Sequence, residues 1–494
     1  MILALDQGTS SSRALVVAED GVVAGAAQRE FAQHFPKDGW VEHDASEIWR
    51  TQLECAHAAI AKAGVAASAI RAVGITNQRE TVVLWDRRTG DPVSRAIVWQ
   101  DRRTAGALAQ LERDGAAAQV ARTTGLLLDP YFSASKIAWL LQHVPGARER
   151  AARGELAVGT IDSWLAWKLT GGRAHVTDVS NASRTMLMDL RTCDWDAGML
   201  RLFGIPREIL PRIVPSSGVV AECDASALGA AIPLAGLVGD QQSALFAQGC
   251  HEAGMSKTTY GTGCFALMHT GASPRSSAAR LLTTVAWRIG NGPVEYALEG
   301  SVFTGGALIQ WLRDGLGIIR TAADVNTLAA TVPDAGGVVL VPALTGLGAP
   351  HWDPHARGLI AGITRGTTAG HIARAAIDGI AWQVAELMDA MASDGGVRPA
   401  AMRVDGGASA SDLLMQVQAD VSDMRIERPA VLELTGLGAA FMAGIAVGVW
   451  RDARTAASVV PIARTFSPTI DAAARDAQRA PWSRAVRLSM GWHS

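Results

Sequence analysis

The sequence predicts an α/β protein made of two halves, each a mixed β-sheet flanked by helices, with a cleft between them. Three observations carry that expectation. Hydrophobic residues fill 49% of the 494 positions and charged residues 19%, below the roughly 25% of an ordinary soluble chain, so the apolar surface suffices for large interiors. The chain opens with short apolar runs separated by turn residues, followed by a segment of helical period and another apolar run. A comparable opening recurs from Lys257, again around a Gly-Thr turn.

The elements follow in order. Ile2 to Leu5 forms a first strand, Gly8-Thr9-Ser10-Ser11 a turn and Ala14 to Ala18 a second strand. Asp20-Gly21 is a two-residue hairpin signal that returns Val22 to Ala27 as a third. Asp44, with Glu47 three residues on, caps a helix that places Ile48, Leu53, Ala56 and Ile60 on one face and stops at Gly64. Ile70 to Ile75 adds a strand. Three antiparallel strands, a helix and a further strand make a mixed sheet, not a strict β-α-β alternation. In the second half, Lys257 to Tyr260 runs into Gly261-Thr262-Gly263 and returns at Phe265 to His269, with more sheet at Leu282 to Ile289 and Val294 to Leu298. A helix opens at Gly305-Gly306, and further elements fall at Val338 to Val341, His371 to Met391, Met402 to Val404 and Leu413 to Val421. The halves divide as 1–247 and 248–494. Thr435 to Trp450 is uncharged but shorter than the roughly 20 apolar residues of a membrane span, so a buried core helix is expected there.

Composition excludes several function classes. A net charge of −2 gives no electrostatic reason to bind nucleic acid or an anionic membrane. The five cysteines are scattered without CxxC spacing, which argues against a disulfide framework or a zinc site and for free thiols in a reducing compartment. The first residues lack the basic region of a signal peptide, and a cytoplasmic location is expected.

Three glycine turns stand out. In Asp6-Gln7-Gly8-Thr9-Ser10-Ser11-Ser12-Arg13, a carboxylate at a strand end, a glycine and a run of hydroxyls with an arginine would cradle a phosphate and its Mg²⁺; a solvated hairpin turn explains the same residues equally well. Tyr260-Gly261-Thr262-Gly263 and Asp405-Gly406-Gly407 are comparable turns after strands. The chain has only five lysines, none in the Gly-Lys-Ser/Thr context of a P-loop, so a nucleotide's phosphates would fall to backbone amides, hydroxyls and a metal ion.

Together these loops resemble the phosphate and adenosine loops of the actin-like, ribonuclease-H-like ATPase superfamily. The sequence around them is similar to the FGGY family of carbohydrate kinases, through Tyr131 to Gln142 and through Gly358 to Ile363 with His371 to Asp378. Within that family, Gly39 to Asp44, Gly74 to Thr81, Trp99 to Arg103, Asp129 to Phe132, Gly239 to Gln242 and Tyr260 to Phe265 resemble members that act on glycerol, and the match runs from Asp6 to about Trp450. The resemblance implies two ribonuclease-H-like (actin-like ATPase) domains. The N-terminal one would carry a glycerol site and the first phosphate loop, the C-terminal one a nucleotide site. It also implies ATP-dependent phosphorylation of glycerol to sn-glycerol 3-phosphate, Mg²⁺, and a homo-oligomer of two or four copies.

The resemblance assigns roles by residue. Arg79 and Glu80 would hydrogen-bond adjacent glycerol hydroxyls, although alone they read as a surface ion pair. Trp99 and Phe265 would wall the pocket and Tyr131 would add a hydroxyl. Asp240 would accept the proton of the attacking hydroxyl and share the metal with Asp6, and Gln241 would hold the substrate; Asp240 also reads as a helix N-cap. Thr9, Ser10, Ser11, Arg13, Thr262, Gly306, Gln310, Gly407 and Ser411 would meet the nucleotide. Ser411 departs from the family pattern, where many members place an Asn, so adenine contact there would need a bridging water and nucleotide preference would loosen. Glu222 to Gly239 carries neither a basic residue nor a histidine, so control by a sugar bisphosphate or by histidine phosphorylation is not expected.

Overall fold

In the computed structural model, which describes residues 1–431 and 434–492, the layering is set by the first strand. Along β1 (Ile2–Gln7), Leu3 and Leu5 enter one apolar cluster and Ile2 and Ala4 another, as the period of two in a strand dictates. Next to β1 lie β2 (Ser11–Val17) and then β3 (Val23–Glu30), each antiparallel to its neighbour. On the other side β4 (Ala72–Asn77) runs parallel to β1. Beyond β4 the six-stranded sheet is completed by β5 (Ser217–Cys223) at the edge and β6 (Ile232–Gly239) between them, parallel to β4. Helix α1 (Ala45–Lys62) covers the Leu3 and Leu5 face, and Asp44 caps it by accepting from the N–H groups of Ser46 at 2.8 Å and Glu47 at 3.3 Å. Strand β6 leads without a loop into α2 (Asp240–Ala247).

The second sheet repeats the plan. β7 (Ser256–Tyr260) and β8 (Cys264–Gly271) form a hairpin, and β9 (Leu282–Arg288) and β10 (Val294–Val302) extend it antiparallel, with β10 inside and β9 at the edge. Helices α3 (Gly306–Asp314) and α4 (Ala369–Gly395) follow. Parallel to β7 comes β11 (Ala401–Asp405), then α5 (Asp412–Ser422) in the chain and β12 (Arg425–Pro429) in the sheet. The three helices bury Leu308, Ile380 and Leu414 against Ala266, Leu298 and Met402. A final strand, Ile462–Phe466, pairs antiparallel with β12. Both sheets thus consist of three antiparallel strands continued by two parallel ones and closed by an antiparallel edge strand, and β9 is the addition peculiar to the second.

The two halves share one core. Helix α6 (Thr435–Ala446), late in the chain, lies on β1, β4 and β6 of the first sheet. There Leu437, Ala440 and Phe441 join Ile2, Ala4 and Val238, Phe246 of α2, and Leu267 and Ala297 from the second sheet. A Cβ at Gly74 would stand 2.2 Å from the carbonyl oxygen of Ala439, so only glycine lets the α6 backbone settle on β4. Thr435 to Trp450 therefore holds a core helix, and no described helix is long and apolar enough to cross a membrane. The five cysteines are free thiols, with Cys55, Cys223, Cys250 and Cys264 buried.

Register brings the site together. Asp6 pairs with Thr76, Gln7 with Asn77, and Asn77 with Gly239, so Asp6, Arg79 and Asp240 emerge at or just beyond the C-terminal ends of three adjacent parallel strands. Open α/β sheets place their ligands in this crevice.

Candidate active site

Glu80, just past β4, has φ of 63°, a left-handed conformation that costs a non-glycine residue of order 1–3 kcal/mol and persists only when its surroundings fix it. Here Ser133 Oγ donates to its carbonyl oxygen at 3.0 Å and Arg184 Nε to its carboxylate at 2.7 Å. Arg79 is more heavily engaged. Its Nε lies 3.0 Å from Asp240 Oδ1, and its two terminal nitrogens grip Glu299 at 2.6 and 3.0 Å. It also donates to Gln242 Oε1 at 3.1 Å, and its longest hydrogen bond, at 3.5 Å, goes to the Tyr131 hydroxyl. Glu299 accepts again from Arg184 at 3.0 Å.

These four side chains are at most 2% exposed. Burial opposes every one of the charges, yet Arg184 and Arg79 hold the Glu299 carboxyl down at about 2, whereas burial outweighs both arginines at Glu80 and pushes it up. The adjacent Arg79 and Glu80 do not form a surface pair: they stand 3.9 Å apart in the interior, and each has a closer partner of opposite charge from elsewhere in the chain.

Asp240 is different. Its side chain is 32% exposed, and it is the first residue of α2, with Gly239 in the cap position because β6 runs straight into the helix. The expectation of Asp240 as N-cap is corrected accordingly; its Oδ1 accepts from the N–H of Gln241 at 2.8 Å. A Cβ on Gly239 would come within 2.7 Å of Arg79 Cδ, so glycine lets the arginine stem pass beneath Asp240. The next two side chains are fixed as well. Gln241 Oε1 accepts from Lys257 Nζ at 2.5 Å, and Gln242 donates to the carbonyl of Val285 at 3.1 Å.

Around this cluster stand the aromatic residues. Trp99 and Tyr131 meet edge-on with centroids 5.5 Å apart, and Arg184 lies 5.6 Å from the Tyr131 ring. The Trp99 indole N–H donates to Thr9 Oγ1 at 2.9 Å, linking the first turn to the aromatic wall. Burial raises the Tyr131 phenol above its ordinary range. Its loop is pinned by Lys136, whose ammonium donates to the carbonyls of Pro130, Tyr131 and Phe132 at 2.5, 2.7 and 3.1 Å, while burial draws that ammonium down to about 7. Phe265 of β8 pairs with Thr259 on one side and Ser301 on the other, on the face that carries Lys257 and Glu299.

The glycine turns are built of lighter groups. Gly8 N–H closes the first on Ser11 O at 3.0 Å; Ser10 is exposed at its tip, Ser11 Oγ accepts from Gln28 at 3.0 Å, and Arg13 donates to Gln28 Oε1 at 2.8 Å. Gly261 N–H closes the second on Gly263 O at 2.9 Å, and the start of α3 rests on it, with Gly306 N–H donating to Gly261 O at 2.8 Å and Ala307 N–H to Thr262 O at 3.1 Å. Thr262, Gln310 and Gly407 are exposed. The pairing of Thr259 with Asp405 brings the third turn beside the second, and Asp405 accepts from Gln248 at 2.9 Å. Ser411 caps α5, accepting from Leu414 N–H at 3.1 Å, and its hydroxyl lies 2.5 Å from Asn326 Oδ1. No group of three or more His, Cys, Asp or Glu poised to hold a metal occurs among the described residues.

Comparison with known proteins gives this chain a family. The profile of the "FGGY family of carbohydrate kinases, N-terminal domain" matches residues 1–247, and that of the C-terminal domain residues 256–447. The chain belongs to the FGGY family of carbohydrate kinases. This FGGY kinase is 59% identical over 491 residues to the glycerol kinase of Aromatoleum aromaticum, covering 99% of each chain, and 58% identical to that of Trichlorobacter lovleyi over the same shares. The solved structure of Plasmodium falciparum glycerol kinase with ADP matches with a TM-score of 0.94 at 34% identity, covering 99% of this chain and 98% of that one. The xylulose kinase of Rhodospirillum rubrum, at 24% identity and a TM-score of 0.87, shares the fold.

Nothing local in the sequence of this FGGY kinase assigns Arg184, Glu299, Lys257, Lys136 or Asn326 to the site. A signal existed for two of them: Glu299 and Lys257 are single charges inside otherwise uncharged strand runs, Ala297 to Val302 and Ser256 to Tyr260.

Proposed function

We propose that this chain transfers the γ-phosphoryl group of ATP to a terminal hydroxyl of glycerol, giving sn-glycerol 3-phosphate and ADP. One observation carries the reading most: in a cluster of charges otherwise at most 2% exposed, Asp240 alone keeps about a third of its side chain open to the cleft, steadied by Arg79. A carboxylate so placed accepts the hydroxyl proton as the oxygen–phosphorus bond forms and the bond to ADP breaks. Arg79, Glu80 and Gln241 orient the hydroxyls, and Trp99, Tyr131 and Phe265 enclose the C–H surface. Glycerol kinases that match the chain over its whole length support the choice of acceptor, and the ADP-bound neighbour supports the nucleotide.

The nucleotide lies along Thr9, Ser10, Ser11 and Arg13, then Thr262, Gly306 and Gln310, and finally Gly407 and Ser411. Asp6 and Asp240, at the ends of parallel strands in one sheet, supply the hard oxygens that suit Mg²⁺, which binds through one or two carboxylates plus phosphate oxygens and water. When bound, that ion neutralises phosphate charge. The N-terminal domain, 1–247, then holds the acceptor and the first phosphate loop, and the C-terminal domain, 248–494, the nucleotide. A coupled assay with glycerol, erythritol, xylulose and no acceptor tests the proposal: glycerol should be strongly preferred, with slow ATP hydrolysis in its absence. Equal rates on all acceptors would overturn it.

A further inference from the structure

Lys257 is fully buried on β7, and among the described residues the two groups it donates to are neutral oxygens: Gln241 Oε1 at 2.5 Å, on α2 of the first half, and Thr259 Oγ1 at 2.8 Å, two residues along its own strand. Asp405, Asp240 and Glu299 attract it from a distance, and Arg79 repels it. A buried ammonium has a large desolvation cost, so its direct use on an amide oxygen calls for a reason. The chemistry of the pair supplies one. An amide has two ends of nearly the same shape, one accepting and one donating, whereas an ammonium can only donate. It therefore tolerates one orientation of Gln241, with the oxygen toward Lys257 and the NH₂ turned away. That NH₂ has no hydrogen-bond partner among the described residues, and Gln241 is only partly buried. Beside it, at the start of the same helix, Asp240 offers only acceptors while ionised.

We propose that Lys257 is a positioning residue for the acceptor alcohol: it locks the Gln241 amide with NH₂ toward the cleft, so that two neighbouring hydroxyls are read as a donor at Asp240 and an acceptor at Gln241. This rests on the assignment of Asp240 and Gln241 to the acceptor site. It makes Lys257, on the strand that leads into the second glycine turn, a determinant of selectivity for a vicinal diol.

The test compares kcat/KM for glycerol with that for propane-1,3-diol, which lacks the middle hydroxyl. In Lys257→Met the ratio should fall about tenfold or more, through a higher KM for glycerol, with the KM for ATP changing less than about twofold. Gln241→Glu keeps a partner for the ammonium but removes the donor, so it should lose the same selectivity while its Tm holds; it carries the test alone if Lys257→Met does not fold. Lys257→Met added to Gln241→Ala should cost nothing further. A ratio unchanged in Gln241→Glu or in folded Lys257→Met, or effects that multiply in the double variant, would overturn the proposal. Failure of the parent enzyme to phosphorylate glycerol would instead remove the functional assignment beneath it.

Discussion

Around Asp240 stand full charges, buried and matched against one another, while the turns at Gly8 and Gly261 are built of main-chain amides and hydroxyls near the surface. On the proposed function, the difference follows from what each side would hold. A small polyol brings no charge, so its site would need rigid donors and acceptors in fixed places, and Arg79, Glu80, Arg184 and Glu299 brace one another. A nucleotide would bring its own charge and its own cation, so short turns of amides and hydroxyls would suffice.

The contrast can be broken at its centre first. Asp240→Asn should lower kcat by about 10³-fold or more, since it removes the proton acceptor, and leave the Tm shift induced by ADP in place. Turnover within about tenfold of the parent would dismiss Asp240 as the base. Glu299→Gln comes next: uncovering two buried arginines should cost about 3 kcal/mol of stability, seen in denaturant midpoints, and raise the KM for glycerol more than that for ATP. A larger effect on ATP would erase the distinction between the two sides.

A pH experiment sharpens it further. Burial, helped by Arg87, holds His175 of the first half neutral, with its pKa lowered to about 3. Its Nε2 donates to Val158 O at 3.0 Å and its Nδ1 accepts from Arg87 at 3.2 Å. In the unfolded chain the imidazole takes a proton near pH 6.5, so its contribution is complete above that pH and is lost as pH falls toward 3. From pH 7.5 to 5 the loss is about 2 kcal/mol, and His175→Gln should remove that part of the acid sensitivity while being less stable at pH 7.5. Parallel urea midpoints for the two proteins would contradict it. The smallest effect is expected on the nucleotide side, where Ser411→Ala removes one helix cap worth about 1 kcal/mol and should move the KM for ATP a few-fold without touching that for glycerol.

The elements themselves were legible from local pattern. The Gly8 turn, the Asp44 cap and the Gly261 hairpin each depend on neighbours within a few residues, and each stands where the sequence puts it. Asp240 was misplaced by one position at the helix start, because β6 abuts α2 with no loop to furnish a separate cap. The partners of the site were not legible. Arg79 meets Glu299 from 220 positions away and Glu80 meets Arg184 from 104, distances over which no periodicity carries information. Period-two alternation does put Lys257, Thr259, Phe265 and Glu299 on one face, but says nothing of what lies opposite. The seat of α6 was equally hidden, since an apolar helix with many small residues states that it will be covered without stating by what.

That seat has a consequence for the order of events during synthesis. The last strand of the first sheet leaves the ribosome when Gly239 does, yet the helix that roofs its Ile2, Ala4 and Val238 face is complete only at Ala446, about 200 residues later. At roughly 5–20 residues per second this is a wait of about 10–40 s. For that interval a nearly finished sheet presents a wide oily surface to the cell, and the nascent chain must be shielded by a chaperone or by its own later segments until α6 arrives.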